Sequence, residues 1–279
     1  MTLRDAIHSL ENVGVTDARN DVFALCEAVS GRSRAALMFS LDDDISDEPY
    51  FERFRELLRR RLEREPLQYI LGKWSFFGDE YTVSPDCLIP RADTEVLVEE
   101  LLVELTGKEK FADICCGSGC IGIAALRNSS AECVSVDISE KALEIAKKNA
   151  DSLGVADRIR FGSCDVLDKA AVDAFFRGSE FDVIASNPPY IKLADAKDLA
   201  PELSYEPSIA LFGGDDGMIF YKSITHNFLP YLKRSGSFMF EIGFDEEKDI
   251  KKIADDCGLS CRIVTDIENR PRVAVLKKM

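Results

Sequence analysis

The chain has 279 residues, 46% of them hydrophobic, enough to bury one large core or two smaller ones. Its formal net charge of −15 runs against a grip on nucleic acid, which needs a basic face to displace counterions from phosphates. It holds no apolar run of membrane-spanning length and does not open on a basic-then-apolar leader, and its nine scattered cysteines and two histidines suit reduced cytoplasmic thiols better than a disulfide framework or a zinc site; no metal is expected.

The first stretch reads as helices. Leu3, Ile7 and Leu10 fall on one helical face, and Asp17 is placed to cap a second helix carrying Val22, Cys26 and Val29, which Gly31 ends. A short third piece covers 33–39. Asp47 before Glu48-Pro49 has the pattern of an N-cap and first turn, and Phe51, Phe54, Leu58 and Leu62 then share a face until Pro66. The basic cluster Arg59, Arg60, Arg61 and Arg64 is expected to be a solvated helix face. From Trp74 to Val83, aromatic residues around Gly78-Asp79 predict a β-hairpin. The expected organisation is a helical bundle over 1–72, a hairpin and linker over 73–95, and a catalytic domain over 96–279.

From about Lys110 strands and helices alternate. Strands are predicted at 111–115, 133–137, 159–161, 181–186, 237–242, 261–265 and 273–276. Helices are predicted at 119–127, from Ser139 to a stop at Gly154, at 170–176, 218–232 and 246–257. Such alternation specifies an α/β fold with a mostly parallel sheet covered on both faces.

A strand-to-helix turn at Asp113-Ile114-Cys115-Cys116-Gly117-Ser118-Gly119 is rich in small residues, which let backbone approach a ligand closely. Asp137 ends the next strand, about 24 residues further on, where a carboxylate can accept hydrogen bonds from both hydroxyls of a ribose; Ser139 is the better N-cap for the helix that follows. Asp165, after the third strand, is placed to meet an adenine amino group. The pyrophosphate-binding fingerprint G-x-G-x-x-G is absent, so a cofactor without a pyrophosphate suits the turn better than a dinucleotide.

The apolar strand over 181–186 ends abruptly in Asn187-Pro188-Pro189-Tyr190. Each proline fixes its own φ and restrains the residue before it, so the loop is stiff. The Asn187 side-chain oxygen and the Pro188 carbonyl can together hold the two hydrogens of an amide or an exocyclic amine, and Tyr190 offers a flat face for stacking. An amide nitrogen is a weak nucleophile because its lone pair is delocalised. Hydrogen bonds to its hydrogens favour pyramidalisation and localise that pair, and positioning toward a sulfonium methyl then does much of the work.

These segments resemble the N5-glutamine methyltransferases that modify peptide chain release factors. The resemblance takes in Glu65–Gly72, Leu88–Glu95, the Cys115–Gly119 turn, Val136–Ser139, Asn187–Tyr190, Glu206–Leu211 with Gly213–Gly217, and Glu241-Ile242-Gly243. It implies a seven-stranded, Rossmann-like class I methyltransferase sheet with an antiparallel last strand, behind a small helical bundle that docks the release factor. It implies S-adenosylmethionine as cofactor and the glutamine of a Gly-Gly-Gln motif as substrate. By position it places Asp113, Cys115, Cys116, Gly117, Ser118, Gly119, Asp137, Asp165 and Asn187 at the cofactor, and Asn187, Pro188, Pro189 and Tyr190 at the glutamine. A cytoplasmic monomer that contacts no nucleic acid or membrane is expected. Two departures stand out. Cys115 replaces the first glycine of the family's Gly-x-Gly-x-Gly turn and would be strained if that position needs a positive φ. The segment 266–272 also departs from the family's Asp-Leu-x-Gly-x-x-Arg pattern.

Three other readings compete. Nucleic-acid amino methyltransferases use related Asn/Asp-Pro-Pro-aromatic loops, but must also extrude a base and hold a phosphate backbone, for which this acidic chain has no basic domain. A ribosomal-protein glutamine methyltransferase shares the chemistry, and the segment 88–95 favours the release-factor branch over it. A non-catalytic binding protein is disfavoured by the intact Asn187–Tyr190 loop.

Overall fold

The computed structural model describes residues 1–278, and the chain divides into two compact units. The first comprises Met1–Lys73 together with Ala200–Tyr205. It holds five helices: α1 (Leu3–Asn12), α2 (Ala18–Ser30), α3 (Arg34–Phe39), α4 (Phe51–Leu62) and the short α5 (Leu67–Leu71). Thr2 and Asp5 cap α1 reciprocally, and Gly31 ends α2 at φ 67°. One helix start differs from expectation. Asp47, Glu48 and Pro49 form a turn, closed by the Phe51 N–H on the Glu48 carbonyl at 2.9 Å, and Tyr50 holds the N-cap position of α4.

The arginine cluster also differs. Arg59 is solvated, paired with Glu56 and Glu63. Arg61 instead lies seven residues past Phe54 on the apolar face of α4 and is 7% exposed. A guanidinium buried there needs partners, and it donates to Asp21 of α2 at 2.7 Å and to Glu202 at 3.1 Å. Arg64 donates twice more to Glu202, at 2.8 and 2.7 Å. Two of the four arginines therefore knit this unit together and are not a free basic face.

The second unit, from Trp74, opens on a hairpin of β1 (Lys73–Phe76, its first residue counted with the helical unit) and β2 (Asp79–Thr82), turned at Phe77 (φ 49°) and Gly78 (φ 82°). Two consecutive positive φ values give the twist that suits a two-residue hairpin. Phe77 tolerates its value with its N–H held by Glu95 at 2.8 Å. A helix not anticipated from the sequence, α6 (Glu95–Glu104), follows and buries Leu97, Val98 and Leu101. Apolar and acidic residues mix in it, so no strong helical period shows.

The sheet is built from β3 (Lys110–Ile114), β4 (Glu132–Asp137), β5 (Ile159–Ser163), β6 (Phe181–Ser186), β7 (Leu232–Glu241), β8 (Leu259–Thr265) and β9 (Pro271–Lys278). Between them run α7 (Cys120–Arg127), α8 (Glu140–Ser152), α9 (Lys169–Phe176), α10 (Ile219–Phe228) and α11 (Glu247–Asp256). The strand order is β5-β4-β3-β6-β7-β9-β8, with β9 alone antiparallel to its neighbours β7 and β8. This is the seven-stranded arrangement that the resemblance implied. Alternate residues feed two apolar layers: Phe111, Val183 and Ala185 pack with α6 and α7, while Ala112, Ile114 and Ile184 pack with α9, α10 and α11. The chain runs outward from β3 through β5, then returns to the other side of β3 at β6. The switch point, where ligands of open α/β sheets bind, therefore lies beyond the carboxyl ends of β3 and β6. Ile114 and Ser186 are in register there, so Cys115 and Asn187 leave the sheet side by side. No helix among the described residues is long and apolar enough to cross a membrane.

Candidate active site

A cavity of about 200 Å³ opens at this switch point. Its wall takes Cys115 and Gly117 from the turn after β3, Asp137 after β4, Asp165 after β5, and Asn187 and Pro189 after β6. The turn itself is tightly specified. Cys115, Gly117 and Gly119 have φ values of 61°, 54° and 78°. Cys115 thus holds the left-handed conformation that glycine would take without strain, at a cost on the order of 1–2 kcal/mol. A Cβ on Gly119 would stand 3.0 Å from Ile123 and 3.1 Å from Ala146, so the turn presses onto α7 and α8.

Asp137 is bound into this turn. Its two carboxyl oxygens accept from the Gly117 and Ser139 N–H groups, each at 2.9 Å. Ser139 caps α8, accepting from Ala142 at 3.2 Å. Burial pushes the Asp137 carboxyl up from its ordinary value, and the backbone N–H groups oppose that push. Asp165 accepts from the Leu167 N–H at 2.9 Å through one oxygen.

The other residues of the predicted set lie elsewhere. Asp113 is fully buried, because the alternation of β3 turns it toward α7, where one oxygen accepts from the Gly122 N–H at 3.0 Å and the other has no partner. Cys116, Ser118 and Gly119 form the turn behind the cavity wall, and Ser118 is tied through its carbonyl to Asn149 at 3.0 Å. Pro188 and Tyr190 lie beside Pro189 but not in the wall; Tyr190 packs against the apolar layer of α9 to α11, and burial pushes its phenol up.

Several wall residues carry no site signal of their own: Asp86, Cys87 and Leu88 from the stretch after the hairpin, and Pro207, Ile209 and Ala210. Glu206, 6% exposed, joins these two distant stretches by accepting from the Ile89 N–H at 3.1 Å and pairing with Arg91. The Asn187–Tyr190 loop is buttressed from outside. Ile191 pairs with Phe212, and a Cβ on Gly213 or Gly217 would stand 2.6 Å from the Pro189 carbonyl or 2.5 Å from the Tyr190 carbonyl. Only glycine permits that approach.

Burial pushes Asp113, Glu241 and Glu246 each up to about 7. The folded chain then keeps protons between pH 4 and 7 that the unfolded chain has released, so these groups make stability fall as pH rises through that window. Asp113→Asn is expected to flatten the fall by up to about 1.4 kcal/mol per pH unit, one proton's share. Denaturant unfolding at several pH values from 4.5 to 7 checks it; an unchanged slope would show that Asp113 titrates normally.

Comparisons with known proteins agree with this architecture. A solved methyltransferase from Pyrococcus furiosus superposes with a TM-score of 0.54 at 17% identity, over 82% of this chain and 98% of that one, which speaks to the fold. The family described as methyltransferase small domain matches residues 91–211, and the PrmC N-terminal domain matches residues 2–72. The chain is an S-adenosylmethionine-dependent methyltransferase built on the seven-stranded sheet. It is 34% identical to the release factor glutamine methyltransferase of Clostridium acetobutylicum over 92% of each chain, and 38% identical to that of Geobacter sulfurreducens over 86% of this chain and 82% of the other. It belongs to the release factor glutamine methyltransferase family.

Proposed function

We propose that the protein transfers a methyl group from S-adenosylmethionine to the side-chain amide nitrogen, N5, of the glutamine in the Gly-Gly-Gln motif of peptide chain release factors. The observation that carries this reading is the place of Asn187: it stands in the cavity wall beside Cys115, with its side-chain N–H donated to Thr94 at 3.2 Å and its oxygen left for an acceptor. A base-modifying reading would need a basic surface, and the pairing of Arg61 and Arg64 with Glu202 removes the best part of one.

The donor set fits the cofactor. Asp137 and Asp165 supply two carboxylates for ribose hydroxyls and an amino group. The wall between them is apolar or small, with Ile138, Ala142, Val166 and Gly117. When bound there, S-adenosylmethionine supplies an electrophilic methyl group. The chain's own part is binding and orientation. Asp137 and Asp165 hold the nucleoside end, and Cys115 and Gly117 bring backbone close to it. The Asn187 oxygen and the Pro188 carbonyl take the two amide hydrogens, which turns the nitrogen lone pair out of conjugation and fixes its direction. The Tyr190 phenol is neutral, so it acts by shape and not by charge. The helical unit docks the release factor, and the enzyme works as a cytoplasmic monomer without binding nucleic acid.

Purified protein given labelled S-adenosylmethionine is expected to label a release factor, and to lose that labelling when the Gly-Gly-Gln glutamine is replaced. Strong labelling of DNA or ribosomal RNA, with none of the factor, would overturn the substrate assignment.

A further inference from the structure

Asn149 stands where the pattern of α8 calls for an apolar residue. It lies one turn past Ala146, on the face that also buries Ala142, Ile145 and Ala150, and it is fully buried. A carboxamide without partners would be costly there, and this one is satisfied. Its Oδ1 accepts from the Thr82 N–H at 2.8 Å. Its Nδ2 donates to the Thr82 carbonyl at 3.1 Å and to the Ser118 carbonyl at 3.0 Å. The partners fix its orientation: an N–H only donates and a carbonyl only accepts, so the oxygen faces the first and the nitrogen the other two.

These contacts join two stretches far apart in sequence. Thr82 ends β2 of the two-stranded hairpin sheet, and Asn149 meets both backbone groups of that residue, as a third strand would. Ser118 belongs to the turn after β3, and the glycines on either side of it, Gly117 and Gly119, have positive φ. A peptide between two such glycines turns over easily. Asn149 holds this one by its carbonyl. The same two stretches supply two walls of the cavity: Cys115 and Gly117 from the turn, and Asp86, Cys87 and Leu88 from the chain just past the hairpin. Between Thr82 and that wall, Val83 is buried and the Cys87 N–H closes a turn on the Ser84 carbonyl at 3.1 Å. Lys141 of α8 also pairs with Asp86 at 3.1 Å, but that pair is exposed and weak. Asn149 is the buried tie.

We propose that Asn149 is a positioning residue for the cofactor, setting two walls of its cavity in register by holding the Ser118 carbonyl and the Thr82 peptide groups at once. The consequence for S-adenosylmethionine rests on its seat in this cavity, as proposed for the site; the hydrogen-bond set does not. Without the carboxamide, the glycine-flanked peptide and the end of the hairpin are freed together. The cofactor must then impose a shape that it now finds preformed.

The test uses the full chain. Asn149→Leu, close in volume and without polar groups, is expected to weaken the calorimetric Kd for S-adenosylmethionine roughly tenfold, the worth of about one hydrogen bond, at a temperature where the variant is folded. Asn149→Ala leaves room for water to reach the freed groups, and is expected to show the same loss if the leucine variant does not fold. A further measurement uses wild-type protein. In ¹⁵N-labelled chain, the Thr82 N–H and the Asn149 side-chain amide, the latter assigned by its loss in Asn149→Ala, are expected to exchange slowly. Cofactor at about ten times Kd should slow both by on the order of tenfold, since the opening that frees them also unseats the cofactor. Wild-type Kd in a folded Asn149 variant, even one that unfolds more easily, overturns the proposal, and so does a Thr82 amide indifferent to cofactor. Asp137→Ala run alongside separates the two readings. If it and the Asn149 variants all bind as wild type, the cofactor sits elsewhere and both readings fall. If Asp137→Ala binds weakly while the Asn149 variants bind normally, only the positioning role falls.

Discussion

Asn187→Ala is expected to lower turnover by roughly 10²–10³-fold, the cost seen when one preorganised polar group aimed at the reacting atoms is removed. Cofactor affinity should change by only a few fold. The asymmetry follows from the site. Asn187 is one among many residues around the cofactor cavity, most of them apolar, so deleting its amide removes little of the cofactor's contact. In the proposed reading it supplies one of the two oxygens that hold the acceptor's amide hydrogens. With one gone, the nitrogen keeps its conjugation and can rotate away. The stiffness of Pro188-Pro189 and the press of Gly213 and Gly217 leave the loop no easy way to substitute another group. Steady-state turnover at saturating cofactor and release factor, beside calorimetric cofactor binding, separates the two effects. Wild-type turnover would remove Asn187 from the mechanism.

Asp137→Ala should act the other way, weakening cofactor binding by about 10–100-fold, as expected when a charge-assisted hydrogen bond of about 1.5–3 kcal/mol is lost. The structure enlarges this expectation. Asp137 also accepts from Gly117 and Ser139, so alanine leaves two N–H groups without partners and frees the turn that carries the strained Cys115. Asp137→Asn keeps an acceptor for one of those N–H groups and should retain more affinity. At saturating cofactor, much of the turnover should return in both. Calorimetry that finds wild-type affinity in Asp137→Ala would sink the ribose assignment.

The two residues differ in how well sequence displayed them. Asp137 could be read from its own neighbourhood: an apolar alternating strand ends on it, and Ser139 stands by as the cap. Asn187 could likewise be read from a strand run that breaks into two prolines. Asp113 shows the limit of such reading. It sits in the same turn motif as Cys115 and Gly117, yet it lies one position short of the end of β3, and strand alternation sends its carboxylate into the α7 face. Arg61 shows the same limit in the helical unit: its spacing from Phe54 puts it on the buried face, but whether carboxylates wait there depends on α2 and on a segment far down the chain.

The sequence by itself determined the alternation of strands and helices, the cap at Ser139, the stiff Asn187–Tyr190 loop and the family. Each of these arises from forces that act within a few residues: apolar period, side chain-to-backbone capping and the fixed φ of proline. Tertiary structure alone decided which polar groups meet. Thr94 reaches Asn187 across 93 residues, Glu206 reaches Ile89 across 117, and Arg61 reaches Glu202 across 141. A buried polar group must find a partner or lose its solvation energy, but any of several residues could serve, and only the order of strands in the sheet and the packing of the helices select the one that does.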